Sequence, residues 1–236
     1  MASQKTTNQN ATTQNSTARR TAIQISRPAS AIGGVALLLI AVAAGVGNFA
    51  ALTPLITVGD AVTTAHAIAA AESQFRIGVL CMLIAAVLDI VVAAALLRLL
   101  EPVNRVVAVT AAWFRIAYSA VFVVAIAQLA TVPALLDEPE IAMNAIDAYT
   151  VIWRTGLILF GVHLLLVGYL GFRSGFMPRV LAVLVGIAGV GYAWDGIGTV
   201  LVPGFSTLIS TYTFVGEVVL IGWLIYRAIR KPAATA

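Results

Sequence analysis

Long unbroken apolar runs, separated by short polar stretches, dominate the chain. A helix crossing about 30 Å of hydrocarbon at 1.5 Å per residue needs roughly 20 apolar residues. Six stretches reach that length, at about 31–52, 77–100, 106–130, 151–171, 180–202 and 208–226. None alternates with the period of two that a membrane barrel strand requires. The pattern predicts an all-α polytopic bundle of six transmembrane helices, occupying residues 31–226. Residues 1–30 form a polar head rich in Thr, Gln, Asn and Ser, expected to be disordered to about Ala22, and residues 227–236 a short basic tail. The first apolar run exceeds the usual signal-peptide core and follows a long polar head, so it is expected to remain as an anchor.

Composition agrees with the pattern. The chain of 236 residues is 61% hydrophobic and only 10% charged, with a mean hydropathy of +0.98. A soluble domain is nearer 45–50% apolar and about 25% charged. The excess apolar surface needs lipid as its solvent, and a backbone in lipid must pair its own polar groups within helices. Cys81 is the only cysteine, which excludes an internal disulfide and any Cys-rich metal site. It is expected to be a small core residue.

Charge placement orients the spans. Lys5, Arg19, Arg20, Arg27, Arg98, Arg105, Arg173, Arg179, Arg227, Arg230 and Lys231 all fall on one side of a six-span arrangement. Of the 14 basic residues, only Arg76, Arg115 and Arg154 fall elsewhere. The opposite connections carry Asp60, Glu72, Asp137, Glu138, Glu140 and Asp147. The positive-inside rule then puts both termini in the cytoplasm. Two sequons, at Asn10 and Asn15, would lie on that side and stay unused. Basic residues spread over span ends suit lipid headgroups rather than nucleic acid.

The outer connections, about 53–76 and 131–150, are semi-polar, and each is expected to form a helix lying in the interface. The inner connections, LEPVNR and FRSGFMPR, permit only tight hairpins, so spans two and three, and spans four and five, should be antiparallel neighbours. A faint repeat leaves a duplicated hairpin open. Phe75-Arg76-Ile77-Gly78 matches Trp153-Arg154-Thr155-Gly156, and Arg105-Val106-Val107-Ala108-Val109 matches Arg179-Val180-Leu181-Ala182-Val183.

Two stretches carry a family resemblance: PVNRVVAVTAAWFRIAYSAV and GLILFGVHLLLVGYLGFRSGFMPRVLAVLVGIAGVGYAWD. The chain resembles bacterial multi-pass membrane proteins of domain-of-unknown-function family 4386 over about 30–230. The resemblance implies a cell inner-membrane protein of about six spans and no particular activity.

Ionisable residues inside spans are costly, and each is a candidate site. Seven stand out: Arg76, Asp89, Arg115, Arg154, His163, Asp195 and Glu217. Folding the second–third hairpin about Val103 puts Asp89 and Arg115 level to within about 3 Å, which predicts an ion pair near the membrane centre. Folding the fourth–fifth hairpin about Ser174–Gly175 puts Arg154 level with Asp195, which predicts a second pair nearer the outer surface, with Tyr192 and Trp194 beside it. His163 and Glu217 share the depth of Asp89 and Arg115, so the four could form one buried polar cluster, a candidate substrate or proton site. Arg76, at an outer end, should reach headgroups. Gly186, Gly189, Gly191, Gly196 and Gly198 predict close helix packing in span five. Trp113, Trp153, Trp194 and Trp223 need no role beyond packing or interface belts.

No nucleotide-binding loop, zinc-protease motif or serine-hydrolase elbow occurs. No cofactor, metal site or catalytic residue is expected. The only partner expected outright is the bilayer, with a homo-oligomer or a membrane partner left open. The reading that follows is a non-catalytic membrane component: a scaffold, subunit or partner-binding regulator. A small transporter or permeation protein, with or without proton coupling, is the alternative, and an intramembrane lipid-modifying enzyme comes third.

Overall fold

A computed structural model describes residues 27–230. The expected disordered head, its two sequons and the residues beyond Arg230 lie outside the described part. Six helices are long and apolar enough to cross a membrane. They are α1 (Arg27–Leu55), α3 (Glu72–Leu100), α4 (Arg105–Thr131, extended by a 3-10 turn to Ala134), α5 (Pro139–Arg173), α6 (Arg179–Leu201), and α7 with α8 (Ser210–Thr213, Val215–Ile229). The short helix α2 (Ala61–Ala70) joins the first two spans. Among the described residues no strand occurs. The protein is a polytopic α-helical bundle.

Local chemistry sets the ends. Asn104 caps α4, its side chain accepting from the Val107 amide at 3.1 Å, so the chain turns inside LEPVNR. In FRSGFMPR, Ser174 donates to the Gly171 carbonyl at 2.7 Å and accepts from the amides of Phe176 and Met177. Gly175 supplies the positive φ of +68° that the turn needs. Pro139 starts α5 and Asp60 caps α2.

The helices close a ring. α3 packs on α4, α4 on α5, α5 on α6, and α6 on α8. α1 fills the gap between α8 and α3, with Gly33 and Gly34 against Ala95, Leu224 and Ile225. Toward its C-terminal end α1 widens into a π-helical stretch, Val46–Leu52, seated on Gly78 of α3. Cys81 is half-buried at this contact. Arg27 donates to the Ala228 carbonyl at 3.1 Å, so the start of α1 and the end of α8 lie together. Arg227 stacks over Phe176 of the α5–α6 turn, 4.2 Å from the ring centroid, and Phe176 stacks on Trp223.

The most extensive contact joins α5 and α6. A Cβ added at Gly161 would lie 2.6 Å from the Gly189 carbonyl and from the Ala193 amide, and one at Gly196 would lie 3.0 Å from the Arg154 carbonyl. The glycines expected to permit close packing do so at Gly189 and Gly196. Gly191 abuts Thr213 of α7, and Gly198 abuts the Phe205 ring. Large apolar side chains stay exposed on every span, among them Leu39, Ile84, Val124, Val151, Val190 and Val219. A lipid solvent accounts for them.

One expectation fails in the outer connections. Residues 139–150 do not form a separate interfacial helix, because they continue into span four as one helix of 35 residues. Ala142, Ala145, Ile146 and Tyr149 along this extension are buried. α2 packs on α5 through buried Ala61, Ala65 and Ile68, so burial keeps the extension helical. The stretch 53–76 does contain the separate helix α2.

Candidate functional site

Asp89, Arg115 and His163 meet in the bundle interior, 5%, 2% and 1% exposed. Each stands on the inward face of its helix, among alanines and glycines that let the backbones approach: Ala85 and Ala86 on α3, Ala111 and Ala112 on α4, and Gly161 on α5. The expected ion pair is present, with Nη2 of Arg115 bonded to Oδ1 of Asp89. Nη1 of Arg115 lies 3.2 Å from Nε2 of His163, and Nδ1 of His163 lies 2.8 Å from the Ala111 carbonyl oxygen. A carbonyl can only accept, so Nδ1 carries the hydrogen. Nε2 then offers its lone pair to the guanidinium, and the imidazole is the neutral Nδ1–H tautomer. One guanidinium thus joins α3, α4 and α5.

Aromatic rings enclose this triad. Arg115 lies over the Phe160 ring, 5.2 Å from its centroid. Phe160 also meets His163, Tyr118 and Tyr192, the last edge-on at 5.1 Å. Tyr118 accepts a hydrogen bond from the Trp153 indole at 3.1 Å. Trp153 is therefore part of the interior, not a bystander of the span end. One turn along α4, the Ser119 hydroxyl donates to the Ala86 carbonyl at 2.7 Å. Nε of Arg115 and the Tyr149 hydroxyl are buried with no hydrogen-bond partner.

Glu217 belongs to the same neighbourhood through a different partner. It is half-buried on α8, and the Tyr192 hydroxyl of α6 hydrogen-bonds its carboxyl group. Arg115 and Asp89 lie within electrostatic reach of it. The chain of contacts runs Glu217, Tyr192, Phe160, Arg115. Five helices therefore contribute to one polar interior. Phe160 escaped the sequence reading, and Tyr192 was expected beside Arg154 and Asp195 rather than against Glu217, although the fold about Ser174–Gly175 puts Phe160 and Tyr192 within three residues of level.

The second expected pair does not form. Arg154 and Asp195 are level, since the Arg154 carbonyl touches Gly196, yet each binds the α6–α8 connection instead of the other. Asp195 is fully buried and accepts from the amides of Ile209 and Ser210 at 2.8 and 2.9 Å. Among the described residues Arg154 reaches only the Phe205 carbonyl, at 3.4 Å. The connection folds back over the helix ends and brings amides that need an acceptor, and these occupy the carboxylate. Arg76 is exposed and pairs with Glu72 one turn before it, at 2.6 Å.

The comparisons with known proteins agree with the architecture and assign no activity. An uncharacterised protein of the archaeon Archaeoglobus fulgidus is 35% identical over 141 residues, which is 60% of this chain and 77% of that protein. The bacterial setting implied by the resemblance is thus not a property of every relative. No solved structure matches. The family model described as "Domain of unknown function (DUF4386)" matches residues 32–228, nearly the whole membrane bundle, and the chain belongs to that family.

Proposed function

We propose that this protein is a non-catalytic component of a cell's inner membrane, a scaffold, subunit or partner-binding regulator, with both termini in the cytoplasm. The observation that carries the reading is the engagement of Arg115. Asp89, His163 and the Phe160 face occupy it from three sides within the bundle. Such a network fixes which helices pack together, a role attested for buried polar groups. The orientation rests on the basic residues gathered around the Arg27–Ala228 contact and the two short turns. The test is purification from native membranes in mild detergent, followed by mass spectrometry of what stays bound. A protein partner retained in fixed stoichiometry is expected. Recovery of the chain alone, together with solute uptake by vesicles containing it, would overturn the reading.

A second reading, a small proton-coupled transporter, is favoured by one observation. Glu217 stands between the polar interior and the exposed face of α8, where Val218 and Val219 point outward.

A further inference from the structure

The charges at this level of the bundle do not balance. Arg115 is committed to Asp89. His163 cannot supply a positive charge in this arrangement: a hydrogen on Nε2 would face the Arg115 N–H, and Nδ1 is already bound to the Ala111 carbonyl. Glu217 faces Tyr192 from α6, with the Asp89–Arg115 pair of α3 and α4 beyond it. α1, which touches α8 at Leu224 and Ile225, carries no charged residue between Arg27 and its end at Leu55. Among the described residues the second carboxylate therefore has no cation of its own. It also stands on a helix whose next residues, Val218 and Val219, are exposed to the hydrocarbon side. A bare carboxylate is heavily disfavoured there. Among the described residues no group of three or more His, Cys, Asp or Glu able to hold a metal occurs.

We propose that Glu217 is a proton-exchanging carboxyl group at mid-span, with the Tyr192 hydroxyl as the partner that follows its state. With Glu217 ionised, the Tyr192 O–H donates to the carboxylate. When a proton from water adds to a Glu217 oxygen, the new O–H can donate to the Tyr192 oxygen instead, and the bond reverses. The proton returns to water on release. This goes beyond the membrane-component reading, which holds equally with Glu217 inert.

The experiment uses the full chain in vesicles of phosphatidylethanolamine and phosphatidylglycerol. The vesicles are treated with dicyclohexylcarbodiimide, which enters lipid and reacts with protonated carboxyls, between pH 5.5 and 8.5. Peptide mapping by mass spectrometry should find an adduct on Glu217 and none on Asp89. Its rate should fall at least tenfold across a titration midpoint inside that range, and Tyr192→Phe should move the midpoint. Sodium chloride at constant ionic strength should not protect. A second measurement does not depend on reagent access. The infrared carbonyl band of a protonated carboxyl should appear and vanish with the same midpoint, and it should be missing in Glu217→Gln. A folded protein whose Glu217 shows neither adduct nor infrared titration would overturn the proposal. So would a rate or band that is flat with pH, or protection by sodium, which would make the exchanged ion a metal.

Discussion

Asp89 with Arg115, and Arg154 with Asp195, look alike in sequence. Each is a carboxylate and a guanidinium on adjacent spans, brought level by a short turn. The bundle treats them differently. Asp89 and Arg115 lie far from any connection, and among the described residues they bond to each other and to His163. Arg154 and Asp195 lie under the α6–α8 connection, where backbone amides and carbonyls compete, and the backbone wins. Matched depth is necessary for a buried ion pair. It suffices only where no loop brings unsatisfied backbone to the same place.

The largest effect should come from breaking the inner pair on one side only. Arg115→Met leaves the Asp89 carboxylate buried without its cation, and a cost of about 3–5 kcal/mol is expected. Unfolding curves in detergent would measure it. Removing both charges, with Asp89→Leu and Arg115→Met together, should recover most of the loss, because no uncompensated charge then remains. A double variant as unstable as the single one would mean that the guanidinium is held chiefly by His163 and Phe160.

The outer site should respond more weakly and through one residue. Asp195→Ala strands two amides, those of Ile209 and Ser210, and is expected to cost about 1–3 kcal/mol. Cleavage by added protease should rise within residues 202–209, because the carboxylate tethers the end of that connection. Unchanged cleavage would mean that the connection is held by other contacts, such as the Phe205 ring on Gly198.

Arg154→Met should cost less than about 1 kcal/mol, since the guanidinium makes one long hydrogen bond. A double-mutant cycle over Arg154 and Asp195 should come out additive within about 0.5 kcal/mol. The same cycle over Asp89 and Arg115 should show strong coupling. Strong coupling in the outer cycle as well would restore the ion pair expected from the sequence.

These differences mark what could be read from the chain alone. Span number, hairpin pairing and the Asp89–Arg115 pair were legible because they follow from run length, turn length and axial rise, all linear properties of the sequence. The close approach at Gly189 and Gly196 was legible for the same reason, as small residues on a span have few other uses. The path of residues 202–209 was not, because a connection without periodicity gives no clue to where its amides point. The Tyr192 contact to Glu217 depends on the rotation of α6 and α8 about their axes, which run length does not fix. The continuation of α5 back to Pro139 was hidden by the acids at Glu140 and Asp147, which read as an interfacial helix until α2 is seen to cover their apolar neighbours.

The smallest effect extends the comparison to a carboxylate in water. Asp60 does at the surface what Asp195 does in the interior. It accepts from a backbone amide, that of Thr63 at 2.9 Å, and also from the Thr63 hydroxyl at 2.7 Å. These bonds, the backbone one first, hold the Asp60 carboxyl below its ordinary value. A group depressed by folding stabilises the folded form above its unfolded value and loses that contribution as pH falls through the folded one. The cap on α2 should therefore be intact at neutral pH and weaken only below about pH 4. Hydrogen exchange in residues 61–70, corrected for the intrinsic rate at each pH, should show protection falling in that acidic window. Asp60→Asn still caps a helix but does not titrate, and its protection should stay level. If both fall together, the acid acts on the packing of α2 against α5, and the cap is not what holds the helix.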